Sequence, residues 1–273
     1  GLGNRDGYMT PFHLHHYLER AQGGAGLLIL EATCVVPDGR LASEQLGLWE
    51  LGQMPAFGHV AEACHAHGAA AVVQLHHAGL LTHPDAGPPV GPVVNPERPD
   101  SRALTEPEIL AIRDAFIQAA VWAQEAGLDG VELHAAHGYL LSQFHSRALN
   151  TRTDGWGGDL QGRFRLTREI LEGIRSACGD KFLLQIRLGI DAPELEDGIA
   201  LARACLDAGC EVLNISSCGS SCPSAQSLGA PENWAYSDRA YLGTAIRQAL
   251  DTPVPVAAVG EFFTPSTAEA FLR

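Results

Sequence analysis

The chain has 273 residues, 46% of them hydrophobic, so it can bury a large core, and one α/β barrel accounts for its length. Its formal net charge of −14 argues against nucleic acid or an anionic membrane as the main partner, because both bind through clustered Lys and Arg. Seven scattered cysteines predict reduced thiols and a cytoplasmic location. Cys218 and Cys222 form a CxxxC pair without a second pair, so ordinary thiols are expected there.

Six short apolar segments predict β-strands, and each follows a helical pattern or a polar turn. Near-continuous apolar runs are typical of parallel strands that are covered on both faces. In chain order the segments read LLILE (27–31), AVVQLH (71–76), GVELH (130–134), FLLQIR (182–187), VLNIS (212–216) and PVAAVG (255–260).

Helical patterns fill the intervals between these strands. Thr105 and Glu108 form a capping box, and apolar residues follow at helical spacing until Gly127 ends the element. Strands that alternate with helices indicate either a (β/α)8 barrel or a doubly wound sheet. The other predicted helices cover residues 10–21, 163–177, 198–208 and 264–273.

The ends of the predicted strands favour the barrel, because the carboxyl ends of barrel strands meet at one mouth, where active sites form. No GxGxxG motif follows the first strand, which counts against a dinucleotide-binding sheet. Six strands are two short of a closed barrel. We therefore expect residues 1–273 to form a single, incomplete TIM-barrel domain whose first and last strands lie outside the chain. The residues at the predicted ends are Glu31, Gln74, His76, His134, Arg187, Ser216 and Gly260.

Residues 129–163 carry the clearest sign of chemistry. His134 and His137 stand three apart, directly after an apolar strand, and Tyr139 follows two residues later. Proton donors held at a strand end can polarise a carbonyl group and complete a reduction. This pattern favours an enzyme with these three residues as its catalytic groups.

Two other hypotheses stay open on the residues alone. His76, His77, His134 and His137 could meet at one mouth and bind a metal ion in a hydrolase, although no HExxH motif accompanies them. The chain could instead be a truncated relative of an enzyme that no longer binds a cofactor and persists as an interaction partner.

Six blocks of the sequence resemble the Old Yellow Enzyme family, which comprises NADH:flavin oxidoreductases and ene reductases built on an FMN-bearing barrel. The combination of HxxHGYL with RTDxWGG is the most specific part of the resemblance. The blocks are GGAGLLILEAT (23–33), VVQLHHAG (72–79), DGVELHAAHGYLLSQF (129–144), NTRTDGWGGDLQGRFR (150–165), QIRLG (185–189) and PVPVAAVG (253–260).

The resemblance implies FMN as the cofactor and gives four residues a role in binding it. Gln74 would hydrogen-bond the pyrimidine edge of the flavin, and Ala32 would leave room beside the ring. Arg187 would stabilise negative charge at N1 and O2 of the reduced flavin. Gly260 would let a backbone N–H approach the phosphate closely.

The resemblance also implies the reaction. NAD(P)H would reduce the flavin, which would pass a hydride to the β-carbon of an enone or a related electrophilic alkene. His134 and His137 would bind the substrate carbonyl oxygen, and Tyr139 would protonate the α-carbon. The sequence does not choose between NADH and NADPH, and relatives of this kind occur as monomers or as larger homo-oligomers.

The chain departs from the family pattern at three places. Leu80 stands where the family's HAGR motif has Arg. The first barrel strand, which supplies a residue that modulates the flavin potential, is expected to lie outside the chain. So is the eighth strand, whose Gly-Arg pair completes the phosphate site.

Overall fold

The structure, a computed structural model, describes residues 3–190, 195–217, 230–260 and 262–272. The expected Cys218 and Cys222 thiols therefore lie outside the described residues. In chain order the helices and strands are α1 (Pro11–Gln22), β1 (Leu27–Cys34), α2 (Met54–His65), β2 (Ala70–His76), β3 (Val90–Gly91), β4 (Arg102–Ala103), α3 (Glu106–Glu125), β5 (Gly130–Ala135), α4 (Leu140–His145), α5 (Leu160–Cys178), β6 (Leu183–Ile190), α6 (Leu195–Asp207), β7 (Val212–Ser217), α7 (Asp238–Leu250), β8 (Val256–Ala258) and α8 (Pro265–Leu272).

The main sheet has six parallel strands in the order β1-β2-β5-β6-β7-β8, and β3 pairs with β4 in a separate two-residue ladder. Each strand of the main sheet lies beside the one that precedes it along the chain, and the order never reverses. A doubly wound sheet reverses its order at a switch point, whereas a (β/α)8 barrel does not. The strand order therefore confirms the α/β-barrel fold that the sequence predicts.

The predicted helix after residue 105 is confirmed, together with its cap. The Glu108 carboxylate accepts hydrogen bonds from the backbone N–H of Thr105 at 2.9 Å and from its hydroxyl at 2.8 Å. Ile109 and Phe116 are fully buried, as helical spacing requires for the face that packs on the sheet. Gly127 follows the helix with a φ of 91°, a left-handed conformation that glycine adopts without strain.

Successive side chains of the central strands point to opposite faces of the sheet, and the two faces differ in chemistry. The apolar face packs against the helices; Leu75, Leu133 and Ile186 lie on it and have no exposed surface. We call the other side the polar face. Strand register aligns its members in neighbouring rows, and they are Gln74, His76, Glu132, His134, Gln185, Arg187, Asn214 and Ser216.

Three of the predicted strand ends are wrong by two residues or more, and one of them is that of β8, which ends at Ala258 rather than at Gly260. β6 continues to Ile190, so Arg187 lies inside the strand rather than at its end. β1 continues to Cys34, and the side chain of Glu31 lies 3.5 Å from His13 of α1 instead of joining the mouth. Among the described residues, no helix combines the length and the apolarity that a membrane crossing demands.

Candidate active site

Three aromatic side chains meet where β2 and β5 end. His76 is the last residue of β2, His134 lies one residue before the end of β5, and Tyr139 precedes α4. The Tyr139 ring centroid lies 4.4 Å from that of His76 and 4.8 Å from that of His134, and both pairs are edge-on. His76 has no exposed surface and His134 is 4% exposed, so tight packing fixes these rings.

His137 joins this group through a strained turn. Its φ is 58°, in the left-handed region that residues other than glycine seldom adopt. The backbone N–H of His137 donates to the Ser217 carbonyl at 3.2 Å, and its Nε2 lies 2.8 Å from the Ser216 hydroxyl. Its Nδ1 lies 3.2 Å from Nε2 of His134. Contacts from β7 therefore hold the turn that brings the two imidazoles together.

Gln143 of α4 links the same turn, through hydrogen bonds, to the segment that follows β2. Its side-chain Nε2 donates to the Gly138 carbonyl at 2.7 Å, and its Oε1 accepts from the backbone N–H of Leu80 at 3.1 Å. The backbone N–H of Leu140 also donates to the His77 carbonyl at 3.1 Å. Because Gln143 is buried, these bonds are shielded from water and hold Tyr139 next to the histidines.

Burial keeps the imidazoles neutral. It lowers the pKa of His76 to about 3 and that of His137 to about 4, and it lowers the pKa of His134 well below the usual value. The charge of Arg187 lowers the pKa of both His134 and His137 further, and the charge of Arg239 also lowers that of His137. Burial raises the pKa of Tyr139, against the opposing charge of Arg187. At neutral pH the site therefore holds neutral imidazoles, each with one N–H, and a protonated phenol.

A buried carboxylate lies one layer below the histidines. Glu132 of β5 has no exposed surface, and three side-chain amides from three other strands donate to it. The donors are Gln74 at 2.7 Å, Asn214 at 2.9 Å and Gln185 at 3.2 Å. Burial raises the pKa of Glu132, while the hydrogen bonds from Asn214 and Gln74 and the charge of Arg187 act in the opposite direction.

Two guanidinium groups face this part of the sheet. Arg187 is half-buried, and its Nε is buried without a hydrogen-bond partner in the part of the chain that the structure describes. Burial lowers the pKa of Arg187, and so does the charge of Arg239 at the start of α7. The ion pairs found among the described residues include neither arginine. Unpaired guanidiniums of this kind favour an anionic ligand.

Ala32 and Gly260 lie on opposite flanks of the sheet. Gly260 follows β8 with a φ of 97°, and a Cβ built on it would come within 3.1 Å of Nη1 of Arg239. Ala32 lies where the register of β1 shifts, and its carbonyl accepts from Nε2 of Gln45 at 2.9 Å. The structure thus groups five of the seven predicted site residues around β5, whereas Ala32 and Gly260 flank them.

Sequence reasoning missed three residues of this arrangement, because it assigned no role to Glu132, Gln143 or Arg239. Glu132 left a signal, because it is the one acidic residue in the apolar run GVELH and stands two residues before His134. Gln143 and Arg239 reach the site from helices α4 and α7, and no local pattern marks them.

The metal hypothesis finds no support in the described residues, because no group of three His, Cys, Asp or Glu side chains there is arranged to hold an ion. Leu80, which stands where the resembled family has Arg, is buried and lines a cavity of about 420 Å³. Gly138, Gln143 and Leu149 line the same cavity, so it lies directly behind the His137–Tyr139 turn.

Comparison with known proteins places this geometry in context. Residues 2–269 match the model of the NADH:flavin oxidoreductase / NADH oxidase family. The NADPH dehydrogenase of Halalkalibacterium halodurans is 38% identical over 78% of this chain and 64% of its own length. The NADH oxidase of Thermoanaerobacter brockii is 36% identical over 99% of this chain and 43% of its own length. The chain thus spans less than two thirds of either relative. The solved old yellow enzyme homologue from Zymomonas mobilis superposes with a TM-score of 0.81 at 27% identity, covering 99% of this chain and 78% of that one.

Proposed function

The chain belongs to the NADH:flavin oxidoreductase / NADH oxidase family, and from that premise we propose that it is an FMN-dependent ene reductase. It would use NAD(P)H to reduce the activated C=C bond of an α,β-unsaturated carbonyl compound. The observation that carries the proposal is the contact of a protonated phenol, Tyr139, with two neutral imidazoles, His134 and His137, beside an unpaired guanidinium. These groups are the proton donors and the cation that such a reduction requires.

Two residues of the polar face, Arg187 and Gln74, fit FMN, and so do Gly260 and Arg239 beyond β8. A reduced flavin ring carries negative charge. The Nε of Arg187 is buried without a hydrogen-bond partner among the described residues, so it can donate to such an anion. Gln74 supplies an amide on the same face, 6% exposed. The left-handed backbone at Gly260 leaves room for a phosphate group, and Arg239 adds a cation beside it. Bound FMN would supply the hydride, after accepting one from NAD(P)H.

Binding of the substrate carbonyl depends on the bond between the two imidazoles. Nδ1 of His137 and Nε2 of His134 lie 3.2 Å apart, so these nitrogens form one bond to each other in the absence of a ligand. A carbonyl oxygen that enters between them replaces that bond and accepts from Nε2–H of His134, whose Nδ1 accepts from the backbone N–H of Ala136. It accepts from His137 as well once that ring carries its proton on Nδ1 and its Nε2 accepts from the Ser216 hydroxyl. Neutral rings suit this task, since they polarise the carbonyl without giving up a proton. The strained His137 backbone keeps the two donors aimed at one point.

Tyr139 then completes the reduction by protonating the α-carbon. Its raised pKa keeps the hydroxyl protonated until negative charge develops on the substrate. The charge of Arg187 favours the phenolate that remains and so assists the transfer. The edge-on packing against His76 and His134 fixes the direction of the hydroxyl, which decides the face of the alkene that receives the proton.

An absorbance spectrum of the purified chain, with and without added FMN, tests the proposal first. We expect flavin bands after reconstitution, bleaching by NAD(P)H under anaerobic conditions, and recovery when an enone is added. A chain that binds FMN but is not reoxidised by any enone contradicts the substrate class alone. A chain that takes up no FMN contradicts the proposed function itself.

A further inference from the structure

The three side-chain amides around Glu132 all direct their donor ends to its carboxylate. Gln74 on β2, Gln185 on β6 and Asn214 on β7 each turn their NH2 group toward this one carboxylate. A carboxylate has only acceptor atoms, so it attracts the donor end of any amide that approaches it. Glu132 therefore dictates the orientation of side chains that belong to three other strands.

The carbonyl end of each amide must then point away from Glu132. The Oδ1 atom of Asn214 demonstrates the consequence, because it is buried and has no hydrogen-bond partner among the residues described. A buried acceptor without a partner destabilises the fold, and a ligand that donates a hydrogen bond to it would remove that cost. Gln74 is held by the same carboxylate at 2.7 Å, so its Oε1 is likewise directed away from Glu132.

Burying a carboxylate at this position is energetically unfavourable. Glu132 has no exposed surface, and burial raises its pKa, whereas a neutral amide or an apolar side chain would avoid that penalty. A neutral amide, however, offers both a donor and an acceptor, and would let Gln74 adopt either orientation. Only a group without a donor restricts Gln74 to one of them.

We propose that Glu132 is a positioning residue for the cofactor: it fixes Gln74 so that the side-chain carbonyl oxygen, and not the NH2 group, meets the bound ring. The site then selects a ring that carries an N–H donor at this edge, which in a flavin is the imide N3–H. This inference rests on the proposed function, since it concerns how the chain holds FMN.

The substitution Glu132→Gln tests this orientation. The new amide can donate to Oε1 of Gln74, which releases Gln74 to turn its NH2 group toward the ring. We expect the dissociation constant for FMN, measured by fluorescence quenching, to rise about tenfold, the loss expected for one buried hydrogen bond. Gln185→Met is the matched control, because it removes another donor to the same carboxylate at 3.2 Å without touching Gln74. The control should bind FMN within about twofold of the wild type.

A spectroscopic signature separates orientation from simple destabilisation. With 15N-labelled FMN bound to the wild type, the N3–H proton should exchange with solvent more slowly than in free FMN, because it donates to Gln74. In Glu132→Gln the exchange should return toward the free rate, and in Gln185→Met it should stay slow. A loss of packing alone would lower the melting temperature of both variants and leave this difference absent.

The outcomes distinguish the two proposals. If the wild type binds no FMN, both are overturned. If it binds FMN while Glu132→Gln matches it in affinity and in N3–H exchange, the role of Glu132 is overturned and the proposed function stands. Should Glu132→Gln fail to fold, the wild-type measurement decides, since an N3–H that exchanges at the free rate contradicts an acceptor at Gln74.

Discussion

The end of β5 and the end of β8 contribute to the proposed site in different ways. Around β5, the rings of His134 and Tyr139 are buried, packed edge-on and supported by hydrogen bonds from β7 and α4. Beyond β8, Gly260 is half-exposed and its neighbour Arg239 is exposed, and the strand itself has only three residues. The proposed substrate side is thus built by packing, whereas the proposed anion side depends on charge and an open backbone.

The difference predicts how each end responds to change. Packed, water-shielded groups act together, so removing one of them costs catalysis heavily. Exposed charges in water contribute little individually, and salt screens them. Substitutions near β5 should therefore give large losses that salt does not affect, and substitutions near β8 should give small losses that salt abolishes.

The largest effect is expected for Tyr139→Phe. The alkene half-reaction should slow by a factor of about 10²–10⁴, the usual contribution of a positioned acid, while flavin reduction by NAD(P)H should change far less. Stopped-flow measurement of the two half-reactions checks this. Tyr17→Phe is the control, because that buried phenol accepts a bond from the backbone N–H of Glu31 and lies outside the site. Equal slowing of both half-reactions by Tyr139→Phe would exclude the acid role.

The double substitution of His134 and His137 by Ala comes next. Loss of two imidazole donors should weaken binding of a phenol ligand by about 100-fold or more, while FMN stays bound. A titration followed by flavin absorbance measures both. His145→Gln removes another buried histidine, bonded to Thr167 at 2.7 Å, and should leave ligand affinity unchanged. Unchanged affinity in the double variant means that the imidazoles do not clamp the ligand.

Acid should destabilise the β5 side selectively. Burial lowers the pKa of His76 and His145 to about 3, of His77 and His137 to about 4, and of His134 well below the usual value. All of these except His145, which ends α4, lie near the ends of β2 and β5. Unfolded histidine binds a proton near pH 6.5, so below that pH the unfolded chain holds more protons and stability falls. Between pH 6.5 and its folded pKa, each histidine lowers the free energy of unfolding by at most about 1.4 kcal/mol for every pH unit of acidification.

Urea unfolding between pH 7.5 and pH 4.5 checks this prediction. Stability should be constant above pH 6.5 and should decline steadily below it. His145→Gln should make the decline shallower, because it removes one of these buried histidines. A stability that does not change across this range means that these histidines are not buried in their neutral form.

The smallest effect is expected for Arg239→Ala. FMN affinity should fall by no more than about fivefold, and the difference from wild type should vanish at high salt, because Arg239 is exposed. Arg247→Ala is the matched control, since Arg247 is exposed on the same helix and has no place near Gly260. A large loss that salt leaves unchanged would place Arg239 in a shielded contact and remove the contrast between the two ends.

The sequence predicts the parts of this molecule that follow from local chemistry. The capping box at Thr105 and the apolar runs of the strands are local, and so is the spacing of His134 from Tyr139. The sequence misplaces the end of β6, because a charged residue after an apolar run is typical of a strand end. In the structure Arg187 stays within the strand, and its side chain lies on the polar face. The sequence does not reveal the role of Glu132, because its hydrogen-bond partners lie on three other strands. Only the register of the sheet brings these partners next to its carboxylate.

The backbone at His137 has a consequence for the sequences that can occupy this place in relatives. A left-handed φ of 58° excludes β-branched residues and disfavours most others, but Asn and Gly adopt it readily. Asn also keeps a side-chain N–H that can reach a carbonyl oxygen. Asn can therefore replace His at position 137 without a change in the turn. His134 lies on a regular strand, where the backbone does not favour Asn.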